Sequence, residues 1–158
     1  MFHISTDERV LGYLGRALSL ELSAVQLYST QSMLVRSWGL IDAADKFHAE
    51  SREELGHAER IISRMLALGV APNVSQLRPA ILGRNLQELL QHDSAFENEL
   101  ISLYDDATRH CVGIADYDNR VFFEALLNEE KAHSAGLTQW LQELKQIKTQ
   151  APTKKVTY

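Results

Sequence analysis

Two tetrapeptides, Glu54-Leu55-Gly56-His57 and Glu130-Lys131-Ala132-His133, each set a carboxylate and an imidazole three positions apart. On an α-helix that spacing stacks both groups on one face, one turn apart. Glu21 precedes Glu54 by 33 positions (54 − 21), and Glu97 precedes Glu130 by the same 33 (130 − 97). The triplet Glu21, Glu54, His57 therefore recurs as Glu97, Glu130, His133 at a constant offset of 76 (97 − 21). A carboxylate is costly to bury alone, because its charged form loses hydration. Four buried together would be forced to protonate unless cations joined them. Two divalent metals bring four positive charges against four carboxylates, which makes the site neutral. Imidazole with carboxylate suits iron, manganese or zinc, and carboxylates bridge ions ~3.5–4 Å apart. The pattern predicts a two-metal site built twice from one half. Glu54 and Glu130 are the expected bridges, Glu21 and Glu97 the terminal ligands.

The elements that carry these residues follow from the apolar pattern. The same offset maps Leu14 onto Leu90, Val25 onto Ile101, Tyr28 onto Tyr104 and Phe47 onto Phe123, and beyond the motif Ile61 onto Leu137, Met65 onto Leu141 and Leu68 onto Leu144. Each half thus reads as a helical hairpin with the same inner face, and two such hairpins bury one another. Ser5-Thr6-Asp7-Glu8 has the form of a capping box with Ser5 as N-cap. Leu11, Leu14, Leu18, Glu21, Val25 and Tyr28 then recur in steps of three and four, a core-facing stripe with one carboxylate in it. This helix is expected to run to Trp38 and stop at Gly39. Asp42 is the expected cap of a second helix reaching Leu68 and ended by Gly69 and Pro72. Residues 70–84 hold two prolines and no sustained period, which suits a long crossover between hairpins. Asn85 with Glu88 starts a third helix with the stripe Leu86, Leu90, Asp93, Glu97, Leu100, Tyr104, ending between Cys111 and Gly113. The fourth begins at Asp116 or Asp118 and carries Phe123, Leu126, Glu130, His133, Leu137, Trp140 and Leu144. The expected fold is all-α: an antiparallel four-helix bundle over residues 1–147 with a long connection between helices 2 and 3. Residues 148–158 are expected as a C-terminal tail.

At 158 residues and 45% hydrophobic the chain has material for one substantial core. A net charge of −5 and no basic stripe argue against nucleic-acid binding. No apolar run approaches ~20 residues and the start shows no signal pattern, so neither a membrane partner nor export is expected and the location reads as cytoplasmic. The single Cys111 offers no disulfide and no Cys-rich metal module, and reads as a packing residue.

Other polar groups read as surface. Asp45-x-x-His48 has the same form as the ligand motif but lies nine residues before Glu54-x-x-His57, so it points about 180° away. His3, His92 and His110 lack a matching partner, and Glu50, Glu53, Glu124 and Glu129 read as outer-face charges. Tyr28 and Tyr104 stand two turns from Glu21 and Glu97, either as core tyrosines bonded to a carboxylate or in a redox role beside the metals.

One Glu from each of two helices and Glu-x-x-His from the other two is the ligand arrangement already known from di-iron carboxylate bundles. From about residue 8 to residue 141 the chain resembles the bacterioferritins. The likeness rests on Leu20-Glu21-Leu22-Ser23-Ala24, Tyr28, Arg36-Ser37-Trp38-Gly39-Leu40, Phe47-His48-Ala49-Glu50-Ser51, Glu54 to His57 with the following Ala-Glu-Arg, Gly69 to Asn73, Asp93 to Glu97, and Glu129-Glu130 with His133. The symmetric two-His set fits bacterioferritins better than animal-type ferritins, which have one His. The resemblance implies one iron at Glu21, Glu54 and His57 and another at Glu97, Glu130 and His133. It implies Fe(II) oxidation by O2 or H2O2, and ferric mineral inside a homo-oligomer of about twenty-four subunits.

Three positions depart from that family. Its members carry a haem-ligating Met directly after the first bridging Glu, where this chain has Leu55, so haem is not expected in the homo-oligomer. Its inner-surface iron site uses a His at the position of Ala49 and an acid at Glu53, so only half of that site is retained. Its short fifth helix is poorly matched by Thr149 to Tyr158. Two other readings stay open: a rubrerythrin-like peroxide reductase without storage, disfavoured by the lack of a Cys-x-x-Cys module, and a shell subunit paired with a haem-binding partner.

Overall fold

A computed structural model of the chain describes residues 6–73 and 76–150, the last two by their backbone only. Four helices account for its regular structure: α1 (Glu8–Ser37), α2 (Ile41–Ala67), α3 (Leu86–Gly113) and α4 (Tyr117–Gln150). The expected N-cap Ser5 lies outside the described residues. The cap of α1 is Asp7, whose side chain accepts from the N–H groups of Arg9 (2.9 Å) and Val10 (3.2 Å).

Helix α1 stops as expected at Gly39, in the left-handed region at φ 80°, where Leu40 N–H donates back to Val35 O at 2.9 Å. Asp42 is not the cap of α2. The Gly39 turn reverses the chain so tightly that α2 resumes at Ile41 with Leu40 at the N-cap and no side chain capping. Asp42 sits instead in the first turn, where its charge meets the positive end of the helix dipole. Gly69, at φ 77°, ends α2 in the same way, with Val70 N–H on Met65 O at 2.9 Å.

Asn85 caps α3 by accepting from Glu88 N–H at 3.0 Å, while Glu88 reaches back to Arg84 N–H at 2.8 Å. Of the two expected starts of α4, Asp116 does the capping, with its Oδ1 accepting from Asn119 N–H at 3.1 Å. The fourth helix continues to Gln150, past Lys148 where a tail was expected. Pro152 and the rest of 151–158 lie outside the described residues.

Contacts between helices fix the topology. Ser29 meets Ser51 and Arg36 meets Asp45, so α1 and α2 run antiparallel. Tyr104 bonds Glu21, Tyr28 bonds Glu97 and Gln31 bonds Asp93, so α1 and α3 are also antiparallel. Phe47 packs on Trp140 while Arg64 bonds Asn119, which sets α2 against α4. Helices α2 and α3 therefore run in the same direction, and the crossover must travel the bundle's length.

The core divides into two apolar clusters with the carboxylates between them. One gathers Val10, Leu14 and Leu18 with Ile61, Met65, Leu100, Phe123 and Leu126. The other gathers Tyr28 and Val35 with Phe47, Leu89, Leu90 and Leu137. Every helix passes from one cluster to the other, and each crosses an expected ligand position on the way: Glu21, Glu54–His57, Glu97, Glu130–His133. The two hairpins pack so that all four helices reach that middle level together.

Candidate metal centre

At the middle level Glu21, Glu54, Glu97 and Glu130 are all fully buried, and His57 is 5% exposed. The six residues expected as ligands come together. One oxygen or nitrogen from each of Glu21, Glu54, His57 and Glu130 lies within 4.8 Å of the others, and the same holds for Glu54, Glu97, Glu130 and His133. The two sets share Glu54 and Glu130. His57 Nδ1 stands 2.8 Å from Glu130 Oε1, 3.2 Å from Glu54 Oε2 and 3.5 Å from Glu21 Oε1. His133 Nδ1 stands 2.9 Å from Glu54 Oε1 and 3.7 Å from Glu130 Oε2. Glu21 Oε2 and Glu97 Oε2 accept no hydrogen bond despite full burial. Such acceptors are costly to leave bare. Hard oxygen donors with imidazole nitrogens, turned inward and unsatisfied, fit a pair of divalent cations.

Protonation settles the metal-free charge. Burial pushes the Glu97 carboxyl up to about 10, which makes it a neutral acid at pH 7, and raises Glu21 well above its usual range. Burial opposes the charge of His57, but hydrogen bonds to Glu130, Glu21 and Glu54 outweigh it and push the imidazole up to about 12. His133 is raised by the same balance, with Glu130, Glu50 and Glu54 outweighing burial. For Glu130 burial is overcome by bonds from His133 and His57, and its carboxyl is held below the usual value. Glu54 is lowered likewise, by His133 and His57 against burial. The two imidazoles, both drawn to the charged form, thus stand beside the lowered carboxyls of Glu54 and Glu130, in the place two metals would take.

Tyr28 and Tyr104 bond carboxylates of the opposite half. Tyr28 Oη donates to Glu97 Oε1 and Tyr104 Oη to Glu21 Oε1, both within the core. Burial, reinforced by the nearby carboxylates, raises both phenols and keeps them neutral donors.

Three of the glutamates read as outer charges stand around the mouth, with Glu53 and Glu129 exposed as expected and Glu50 half-buried. Glu129 Oε2 lies 2.9 Å from His57 Nε2 and also pairs with Arg60. Glu53 Oε2 lies 2.9 Å from His133 Nε2, and Glu50 contacts the same nitrogen. Each imidazole therefore has its outer nitrogen held by a carboxylate, which orients the ring and reserves Nδ1 for the inside. A cavity of about 540 Å³ between α2 and α4 opens onto this ring, lined by Glu50, Glu53, His57, Glu129, His133 and Trp140. Periodicity placed Glu53 and Glu129 one position off the ligand stripe and Glu50 one turn before Glu54, but gave no measure of their reach across to the next helix. Glu124 stays outside, beside Arg120. His48 and His92 are exposed as expected, and Asp45 pairs with Arg36. His110 is no surface group: it is half-buried, 2.8 Å from Asp7. His3 lies outside the described residues.

A bundle with one long crossover, a Glu from each of α1 and α3, and Glu-x-x-His from each of α2 and α4 defines the ferritin-like class. The Ferritin-like domain matches residues 11–147. A bacterioferritin of Rhodobacter capsulatus is 37% identical over 127 residues, covering 80% of this chain and 79% of that protein. A bacterial ferritin of Synechocystis sp. is 32% identical over 133 residues, covering 84% and 85%. A solved structure of the Rhodobacter capsulatus bacterioferritin, described with a metal-free dinuclear site and haem iron, superposes with a TM-score of 0.88 at 32% identity, covering 96% of this chain and 99% of that one. The chain belongs to the bacterioferritin family.

Proposed function

We propose that this chain is an iron-storage subunit with a ferroxidase centre inside its bundle, taking Fe(II) as substrate with O2 or H2O2 as oxidant and depositing ferric mineral in a homo-oligomeric cage of about twenty-four chains. The observation that carries the proposal is the pair of four-ligand sets sharing Glu54 and Glu130. In this reading Glu21 and Glu97 are terminal ligands, the histidines bind through Nδ1, and Glu54 and Glu130 bridge. Iron supplies the electrons. The chain's own residues supply the rest: Glu129 and Glu53 hold the imidazole rings, Tyr28 and Tyr104 hold the terminal carboxylates, and the α2–α4 cavity admits the cation. Loading expels the imidazolium protons and those of Glu21 and Glu97, because ligands must be deprotonated to bind.

Haem does not fit the residue present. Leu55, 42% exposed on α2, has no lone pair to offer an iron. The homo-oligomer is proposed to lack haem, and a haem-bearing sister subunit would have to bring its own ligand.

The test is aerobic Fe(II) addition to metal-free protein, following ferric absorbance and particle size, with a Glu54→Ala/His57→Ala control. Rapid oxidation of about two irons per chain followed by slower mineral growth in a large particle is expected. Fast oxidation in a small oligomer that retains no iron would favour a peroxide reductase instead. Equal rates for wild type and control would sink the site.

A further inference from the structure

One turn from the Tyr28–Glu97 pair, Gln31 of α1 meets Asp93 of α3. Both side chains are fully buried, and Gln31 Nε2 donates to Asp93 Oδ1 at 2.6 Å. Their remaining oxygens, Gln31 Oε1 and Asp93 Oδ2, have no hydrogen-bond partner. An ionised Asp93 is acceptor only and would leave both bare. A neutral Asp93 carries the missing donor. An Oδ2–H turned toward Gln31 Oε1, with Oδ1 accepting from Nε2 as observed, would close an amide–acid ring and pair both oxygens.

The surroundings favour that form. The flanking residues Tyr28, Val35, Leu89, Leu90 and Phe96 belong to one apolar cluster, to which α4 contributes Leu137, Trp140 and Leu141. The charged or titratable groups bearing on Asp93 are Glu50 of α2, Tyr28 of α1 and, one turn along its own helix, Glu97. Burial pushes Asp93 up to about 7, with Glu50 adding to the rise and the Gln31 bond opposing it.

The pair also breaks the internal symmetry. At the 76-residue offset the counterparts of Gln31 and Asp93 are Ala107 and Ala17, both fully buried. The Glu21–Tyr104 side of the centre is thus backed by two methyl groups, and the Glu97–Tyr28 side by a carboxyl group.

We propose that Gln31 and Asp93 form a one-sided proton store, in which Asp93 is held as the neutral acid and gives up its proton when the centre gains positive charge. This rests on the ferroxidase reading. Four carboxylates neutralise two divalent cations; when both are oxidised to the trivalent state, their two electrons and two protons from solvent convert O2 to H2O2, or H2O2 to two water molecules, and departure of that product leaves two positive charges in excess. Breaking the Asp93 O–H bond sends one proton to solvent and leaves one carboxylate beside the Glu97 half to offset one of those charges. The asymmetry assigns that half as the side where ferric charge is better tolerated.

The test compares wild type with Asp93→Asn, which keeps the shape and the donor to Gln31 Oε1. In metal-free wild type at pH 6, infrared spectra are expected to show a carboxylic C=O band that Asp93→Asn lacks and that fades on titration through about pH 7. Air oxidation of the Fe(II)-loaded protein at pH 6 is expected to bleach that band. It should also release about one more proton per chain from wild type than from the variant, a difference that vanishes above pH 8.5. Should Asn at 93 prevent folding, the band's titration and bleaching in wild type carry the same test. No acid band at pH 6 that titrates near pH 7 and is missing from Asp93→Asn, or such a band unchanged by oxidation, overturns the proposal. Failure of the ferroxidase reading is separately visible: wild type would then oxidise iron no faster than Glu54→Ala/His57→Ala, while the metal-free band still reports Asp93. The store would fall with it.

Discussion

Replacing Tyr28 by Phe removes one oxygen and little else. The ring stays in the core, stacked on Phe47 at 6.3 Å between centroids, so apolar burial is preserved. What is lost is the hydrogen bond to Glu97 Oε1. Glu97 is fully buried and its other oxygen already lacks a partner, so the change leaves the whole carboxyl group without a donor. Stranding a buried acceptor costs about 1–3 kcal/mol, and for a domain of this size each kcal/mol moves the melting point by roughly 2–4 °C. Metal-free Tyr28→Phe should therefore melt about 4–8 °C below wild type, taking ~2 kcal/mol as the central cost. Denaturant titration should show a lower midpoint at unchanged slope, because the same surface is exposed on unfolding. With saturating zinc the deficit should shrink, since the cation then occupies the oxygens that the phenol had served. Thermal and denaturant melts with and without zinc decide it. A shift below one degree in the metal-free protein, or a deficit that zinc leaves undiminished, would refute the view that these tyrosines act by satisfying the terminal carboxylates.

The metal-free protein should be most stable between about pH 4.5 and 6.5. His57, raised to about 12, contributes stability that is complete below its unfolded value of 6.5 and is lost as pH rises through 12. Glu97, raised to about 10, adds a penalty that grows from pH 4.5 to 10, whereas Glu130, held low, loses its contribution only as pH falls below 4.5. Urea midpoints across pH will show this, and rising stability from pH 7 to 9 without metal would contradict it. Glu129→Gln frees His57 Nε2 from its carboxylate and should weaken zinc binding roughly 10–100-fold, measured by competition with a chelating dye. Leu55→Met restores a thioether at an exposed α2 position and should allow haem uptake that wild type lacks, read from the Soret band of protein reconstituted with haem. Equal uptake by the two proteins would show that residue 55 does not control it.

How far the sequence carried depended on the range of each interaction. The sextet was legible because helical period and a duplicated offset are properties of the chain itself: residues on one stripe share a face whatever they pack against. The Asn85 cap was legible for the same reason, since it is made within one turn. Asp42 looked equally good as a cap, but the backbone bonds of the Gly39 turn start α2 two residues earlier, and backbone geometry of that kind leaves no mark in side-chain pattern. Glu53 and Glu129 are exposed, as the outer-face reading expects, and Glu50 is half-buried, but their pairing with the two histidines is set across α2 and α4. A helical wheel gives the direction of a side chain, not which imidazole a neighbouring helix presents at that height. The cross-pairing of Tyr28 with Glu97 and Tyr104 with Glu21 is of the same kind: each tyrosine was visible as a core residue near its own half's carboxylate, and only the antiparallel docking of α1 on α3 hands it to the other. The duplication that made the ligands readable thus also hides what docking adds. Gln31 and Asp93, where the two halves differ, stand out only once the offset is applied to residues that do not repeat. In a bundle assembled from two like halves, the repeated positions set the proposed cation sites, and the unrepeated ones are where those two sites can be made to differ.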